Sequence, residues 1–359
     1  MISGFYDDNL RYLIIFVTQL AIQEKFLELA KQKLNPGISI AEKIALLLNM
    51  SKDSAYRRLR GEISLSFDEI GIISRDFNIS LDNLLLTDNK YVTFSYRVID
   101  HEILNFEHYL ESILDNMELS NVSENTELIY AAKDMPIFHE FCFSELASFK
   151  IFFWLKTILQ DPNYKDKSFD FNAVPEKLIT LGKRIWEKYM VLPSLELWNE
   201  GTINVTLKQM EYYFESGIMD KAQTLKLCDV YTKLVEHIQS EAEAGRKFND
   251  VNEGSSKNNF KIYYNEVSIP NNTLLLVMGD IKIAYVECNM LDILTTTNKY
   301  FCDQSQKYLN NIIRKSSLIS VVSEKERIKL FRIMKSRISV LKERVENAIE
   351  NDFRSIDRY

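Results

Sequence analysis

The stretch Ile40–Arg60, IAEKIALLLNMSKDSAYRRLR, predicts two short helices joined by a tight turn. Ile40, Ala41, Ile44, Ala45, Leu47 and Leu48 recur at helical spacing and form an apolar stripe that needs burial. Asn49 stands where the chain must reverse, and asparagine is among the few residues besides glycine that tolerate a positive φ. Met50 offers a hydrophobic plug beneath the turn. Ser51 is a favourable N-cap whose hydroxyl accepts from a free amide of the next helix, so that helix starts at Lys52.

Along the second helix Ala55 and Leu59 share one face with the cap, and Arg58 lies at its edge. The opposite face carries Asp53, Ser54, Tyr56, Arg57 and Arg60. Ala45 and Ala55 are small where the two helices must cross closely. Gly61 ends the second helix, and Ser66–Phe77 predicts a third with Ile70, Ile73 and Phe77 facing inward. A short helix over Leu81–Leu86 follows Asn78 and Ser80, and Ile22–Leu34 supplies a helix in front. The whole chain carries a net charge of -7, which excludes wholesale coating of nucleic acid. Within residues 51–60 Asp53 is the only acid, set against Lys52, Arg57, Arg58 and Arg60, so contact with a polyanion would be local.

On these residues the segment resembles the lambda-repressor-like, or Xre-type, helix-turn-helix regulators of bacteria, over about residues 21–88. The resemblance rests on Ala45, on Asn49 where the family usually has glycine, on Met50 and Ser51, and on the run Arg57–Gly61. It implies that Lys52, Asp53, Ser54, Tyr56 and Arg57 lie in or beside the major groove of double-stranded DNA, with Arg58 and Arg60 reaching phosphates. Arg58 departs from the family's aliphatic residue, and the expectation is that Leu59 takes part of its packing role while Arg58 snorkels outward. Arg57 has the chemistry for bidentate reading of guanine; Asp53 accepts from cytosine or orients Arg57 at i+4. Ser51 and its neighbouring amides suit a phosphate at a helix N-terminus. A homodimer on a two-fold operator is implied, because one small helix-turn-helix makes too few contacts for useful specificity.

With 359 residues and 46% hydrophobic content, the chain is long enough for two or three domains with a large core. The expected fold class is mainly α. Residues 1–20 read as an apolar N-terminal helix, 21–88 as a five-helix DNA-binding domain, 89–250 as a helical sensing or oligomerisation region, and 251–359 as a small α+β domain. Thr87–Lys90 is a linker, Tyr91–Ile99 an extended entry segment, and Glu102–Met117 a helix. Glu127–Lys133 is an apolar run of strand length. The aromatic-dense block Phe138–Leu159 is either core or the lining of a pocket. Pro175–Met190, Leu207–Phe214 and Asp220–Ala244 read as helices, without a 34-residue repeat.

Asn249–Asn259 is polar and unpatterned, and marks a boundary. Beyond it Phe260–Ile269, Thr273–Met278 and Lys282–Glu287 predict an antiparallel three-stranded meander. Asp303–Arg314 reads as a helix and Leu318–Val322 as a strand. Ser323–Glu350 is a long terminal helix opened by a capping box between Ser323 and Glu326. Its seam of Phe331, Met334, Ile338, Leu341, Val345 and Ala348 packs either on the meander or on a second copy of the chain.

Catalytic signatures are missing from the sequence. Cys142, Cys228, Cys288 and Cys302 form no C-x-x-C pair, which fits free thiols in a reducing cytoplasm. His101-Glu102 and His139-Glu140 each lack the second histidine of a zinc protease, and His101, His108, His139 and His237 form no other metal-binding pattern. The glycines include no P-loop, no G-x-G-x-x-G and no G-x-S-x-G. The apolar run Tyr12–Val17 follows Asp7 and Asp8, and is too short for a membrane span and wrongly flanked for a signal peptide. The expectation is therefore a cytoplasmic transcriptional regulator, not an enzyme, with no cofactor, metal or membrane. It would answer to a small-molecule or protein effector through residues 89–359. The alternative is a non-catalytic scaffold whose helix-turn-helix docks a protein.

Overall fold

The structure, a computed structural model, describes residues 22–34, 37–85, 91–96, 106–120, 125–248, 259–267 and 269–348. The expected helix over residues 1–20, the linker at 87–90 and most of the boundary at 249–259 lie outside the described residues. The chain divides into two compact units, Met1–Phe94 with Thr296–Phe301 and Ser95–Thr295 with Cys302–Tyr359.

The first unit holds α1 (Ile22–Gln32), α2 (Ile40–Leu47), α3 (Lys52–Leu59), α4 (Phe67–Asp76) and α5 (Asp82–Leu85). Its core joins Phe26, Leu27 and Ala30 of α1 to Ala41, Ile44 and Ala45 of α2, Ala55 of α3 and Ile73 of α4, closed by Leu65, Phe77 and Ile79. Asn49 and Asn78 both take a φ of 49°, which lets the chain reverse directly after α2 and α4. Ser66 and Glu69 form a reciprocal capping box at the start of α4, satisfying two otherwise unpaired amides. Gln23 ties α1 to the last turn of α3 and the loop before α4: its Nε2 donates to the carbonyls of Arg58 and Ile63, and its Oε1 accepts from Leu65 N.

The second unit is built on one mixed sheet, which overturns the expected mainly α layout with a small α+β tail. Among the described residues its strands are β1 (Ser95–Tyr96), β2 (Thr126–Ala131), β3 (Ser194–Trp198), β4 (Phe260–Tyr264), β5 (Thr273–Met278), β6 (Ile281–Glu287), β7 (Ile293–Thr296) and β8 (Ser317–Leu318). They run in the order β1-β7-β6-β5-β2-β3-β4-β8. β2, β3 and β4 are mutually parallel, as strands joined by long helical crossovers must be able to be. The first crossover contains α7 (Ile137–Glu140), α8 (Ser144–Phe153), a π-helical turn (Trp154–Ile158) and α9 (Glu176–Val191); the second contains α10 (Asn204–Glu215) and α11 (Lys221–Ala244). In front of β2 runs α6 (Phe106–Ser120).

Two expectations fail for one reason: pairing in a sheet need not follow sequence order. The region 89–250 is not purely helical, because it supplies β2 and β3 at the sheet's centre. The meander over 260–287 does not form. Only β5 and β6 make the antiparallel hairpin, while β4 pairs with β3 and β8, and β2 occupies the other edge of β5. All five residues of β3 are buried, so both faces of the sheet are covered there. The strand expected over Leu318–Val322 is confined to Ser317–Leu318, and by Val321 the backbone has turned to a φ of 64°.

After β7 the chain forms α12 (Lys299–Ile313) and, at the end, α13 (Glu324–Asn347). Ser323 does not cap α13 through its side chain; it adopts a left-handed conformation instead, so the expected capping box is absent. The real box in this unit joins Asp220 and Gln223 at the start of α11. The seam Phe331, Met334, Ile338, Leu341 and Val345 is buried within the chain, with Phe331 against Trp198 at 6.3 Å between ring centroids and Lys342 paired to Asp229 of α11 at 2.6 Å. It is therefore filled by the chain's own core and not left for a second copy. The aromatic block is core too: Phe149, Phe152 and Phe153 pack edgewise or tilted around Tyr213, and the first two also meet Phe169.

Two charged side chains are fully enclosed beside the sheet. Glu196 of β3 faces His139 of α7, Tyr189 of α9 and Trp198. Burial pushes its carboxyl up, but His139 and the Tyr189 hydroxyl, with Lys247 nearby, outweigh that and hold it below the ordinary value. Lys247 donates to the Tyr189 and Leu192 carbonyls at 2.8 and 2.6 Å and lies 3.6 Å over the Tyr189 ring. Burial lowers its pKa to about 7 despite the attraction of Glu196 and Glu241. An unfolded lysine keeps its proton to far higher pH, so between these limits the unfolded state binds more protons and stability rises with pH. Urea midpoints measured at pH 7 and pH 9 should therefore increase more in the wild type than in Lys247→Met; equal slopes would show that this amine does not set the dependence.

Candidate nucleic-acid interface

The surface of interest is built from the turn after α2 and the whole of α3. The Met50 amide donates to the Ala45 carbonyl at 3.0 Å, bringing the chain back under α2. Ser51 is extended (φ -68°, ψ 152°) and its Oγ accepts from Ser54 N at 3.2 Å, the N-cap that its residue type predicts. Ser51 also donates to the Ser54 hydroxyl at 3.0 Å, so these two hydroxyls face each other. Ala55 is fully buried. Lys52, Asp53, Tyr56, Arg57 and Arg60 are exposed along the outer side of α3.

Gly61, at a φ of 73°, ends α3. The Gly61 and Glu62 amides donate to the Arg58 and Arg57 carbonyls at 3.1 and 2.9 Å, a Schellman-type closure that only glycine enters without strain. The closure folds Glu62 back beside the helix. Its carboxylate meets Arg60 Nε at 2.6 Å and Arg57 Nε at 3.4 Å. Chiefly through the hydrogen bond from Arg60, Glu62 is held below the ordinary carboxylate range. Lys52 pairs in the same way with Glu42 of α2 at 2.5 Å, and that hydrogen bond raises its pKa. Lys52, Arg57 and Arg60, three of the four cations expected to meet bases or phosphates, thus each have a carboxylate partner.

Arg58 does not snorkel outward as expected. Its side chain is 16% exposed and turned to Glu69 of α4 at 2.7 Å, with a second bond to the Ser54 carbonyl. Burial pushes Glu69 up, yet Arg58 and the Ser66 amide together bring it down. The physical reason is that the α3 edge faces α4, where an aliphatic side chain would need apolar neighbours but the capping box has already placed a carboxylate. Arg58 is therefore occupied in joining α3 to α4 and is withdrawn from the outer row. Sequence reasoning missed Glu42, Glu62 and Glu69. Glu62 was findable, since a residue after a C′ glycine returns over the last turn; Glu69 was not, because its partner is set by tertiary packing.

Across residues 22–85 nine Lys and Arg stand against nine Asp and Glu, so this stretch is neutral within an acidic chain. Among the described residues no group of three or more His, Cys, Asp and Glu is arranged to hold a metal ion. Nor, among them, is any helix long and apolar enough to cross a membrane. Compared with protein-family models, curated proteins and solved structures, the chain matches none.

The Arg58–Glu69 pair is shielded enough to matter for stability. A double-mutant cycle of Arg58→Ala and Glu69→Ala, followed by urea unfolding, should give a coupling of about 1–3 kcal/mol. A coupling near zero would show that the pair is incidental.

Proposed function

We propose that the protein is a sequence-specific DNA-binding transcriptional regulator that reads the major groove with α3. The observation that carries this reading is the division of α3: a small buried Ala55 lets the helix sit close on its own domain, while Asp53, Tyr56, Arg57 and Arg60 stand together on the outside. Arg57 and Asp53 have the donor and acceptor groups for base edges, and Tyr56 offers an exposed ring for a thymine methyl or a sugar. Lys52 and Arg60 at the two ends of the helix suit phosphates, as do the amides after Ser51. Ser54 supports the cap from inside the first turn. The protein acts as a homodimer in the cytoplasm, and residues 89–359 carry the response to a small-molecule or protein effector. It is not an enzyme on this reading.

A second reading, a scaffold whose α2–α3 surface docks a protein, is favoured by one observation. Leu46 and Phe67 are each more than three-quarters exposed on a domain with no net charge, and apolar side chains on a neutral surface suit a protein partner. Duplex binding separates the two.

On the DNA reading Glu62 competes with phosphate for Arg57 and Arg60. Fluorescence anisotropy with the full-length protein should show saturable binding to a duplex recovered from genomic fragments. Glu62→Gln should tighten binding to every duplex several-fold at low salt and steepen the salt dependence by about one to two phosphate equivalents. Arg57→Ala should relax discrimination at one base pair, and Arg60→Ala should weaken all sequences alike. Absence of duplex binding at low salt overturns the proposal in favour of the scaffold.

A further inference from the structure

β3 and β4 end in the same three-residue pattern, Trp198-Asn199-Glu200 and Tyr264-Asn265-Glu266. The structure sets the two copies side by side. Trp198 and Tyr264 are register partners in adjacent parallel strands, and the Asn265 amide donates to the Trp198 carbonyl at 2.8 Å. Asn199 and Asn265 are thus the equivalent first residues beyond the carboxyl ends of neighbouring strands. That is where open sheets with parallel strands hold ligands.

Each asparagine uses its side chain in the same way. Asn199 Oδ1 accepts from Gly201 N at 2.7 Å, and Asn265 Oδ1 accepts from Val267 N at 2.9 Å. Because a backbone amide must face an oxygen, this fixes the orientation of both carboxamides. Both Nδ2 groups are then left as donors without a hydrogen-bond partner among the described residues. Asn265 is only 4% exposed as a residue, yet its Nδ2 is not sealed off from solvent, so the donor is open to a ligand. Gly201 is part of the arrangement: a Cβ there would come within 3.0 Å of Asn199 Oδ1.

Asn199, Glu200, Gly201, Tyr264, Asn265 and Glu266 line a cleft of about 320 Å³, at the lower end of the range typical of ligand pockets. Its carboxylates are neutralised. Glu200 accepts from the Tyr264 hydroxyl at 3.1 Å and from Arg337 Nη2 at 3.3 Å, and Arg337 also bonds the Glu200 carbonyl. Glu266 pairs with Lys329 at 3.1 Å. The cleft therefore presents two free amide donors next to two carboxylate acceptors, with no net charge to attract an ion.

We propose that this cleft is a binding site for a small neutral polyhydroxylated molecule, a sugar or cyclic polyol. A hydroxyl both donates and accepts, so neighbouring hydroxyls match an Asn Nδ2 beside a Glu carboxylate, and the doubled pattern matches two such groups on one ligand. The site stands independently of DNA binding. The test uses the full-length chain with D-glucose, D-ribose and myo-inositol as probes and ethanolamine and inorganic phosphate as charged comparisons, read by calorimetry and saturation-transfer NMR. At least one polyol should saturate below about 10 mM, and neither charged probe should bind more tightly. Asn265→Asp and Asn199→Asp keep the turn acceptor but replace the donor with a charged acceptor, and each should weaken binding of the neutral ligand about tenfold. Glu266→Ala, at a side chain 72% exposed and safe for folding, should weaken it several-fold. The proposal is overturned if no polyol saturates, if ethanolamine or phosphate binds in preference, or if all three variants bind like the wild type.

Discussion

The second unit depends on a carboxylate with no access to water. Glu196 sits in the middle of β3, fully buried, where an unpaired charge would cost several kcal/mol. It is satisfied from three directions: His139 Nε2 at 3.0 and 3.2 Å, the Tyr189 hydroxyl, and Trp198 Nε1 at 2.7 Å. His139 comes from α7 and Tyr189 from α9, so one residue fixes how both ends of the first crossover meet the sheet. A slip of β3 by one residue would turn Glu196 to the opposite face, away from His139 and Tyr189, with only Trp198 of the same strand moving along with it. Hydrophobic packing alone tolerates such slips better than a buried ion does. Lys247 extends the same constraint, since its two carbonyl acceptors lie at the end of α9 and just beyond it.

A second buried pair repeats the device on α8. Glu140 and Lys150 approach at 3.3 Å, the Thr206 hydroxyl donates to Glu140 at 2.6 Å, and Lys150 donates to Gln209 at 2.9 Å. Burial raises the Glu140 pKa, with Lys150 and Thr206 pulling against it. Here α7, α8 and α10 are joined through polar groups. The unit's helices are thus located on the sheet by hydrogen-bonded charges as well as by aromatic contacts, which specifies a single arrangement where interchangeable aromatics would allow several.

This explains what the sequence revealed and what it hid. Helices were legible where their signals are local: the Ser51 cap, the Asn49 reversal and the stripe Ala41, Ile44, Ala45 lie within a few residues of each other. β5 and β6 were legible because a Gly279-Asp280 turn joins them. β3 was not, because Glu196 in its centre breaks the apolar pattern of a buried strand and its meaning depends on His139 and Tyr189. The parallel pairing of β2, β3 and β4 was hidden for a related reason, since partners more than sixty residues apart leave no turn between them to read. At the candidate interface Asp53, Tyr56, Arg57 and Arg60 could be placed outward from spacing alone. The inward turn of Arg58 could not, because it follows from where α4 puts Glu69.

The pairing of the α3 cations has a consequence for how such a surface would work on DNA. A free arginine gains by releasing counterions from the phosphate backbone, whatever the sequence. An arginine already held by Glu62 must exchange one anion for another, and the exchange gains little. The sequence-independent part of the binding energy is therefore reduced at Arg57 and Arg60, and at Lys52 through Glu42. Base-edge contacts gain relative weight, since only a correct guanine offers Arg57 two acceptors in one plane in place of a single 3.4 Å contact. Because Glu62 is positioned by the Gly61 closure and not by a flexible loop, this bias is built into the end of the helix itself. On the proposed function, a neutral domain on an acidic chain would favour discrimination over affinity, and a single copy would hold DNA weakly, which is the physical ground for proposing two copies on one site.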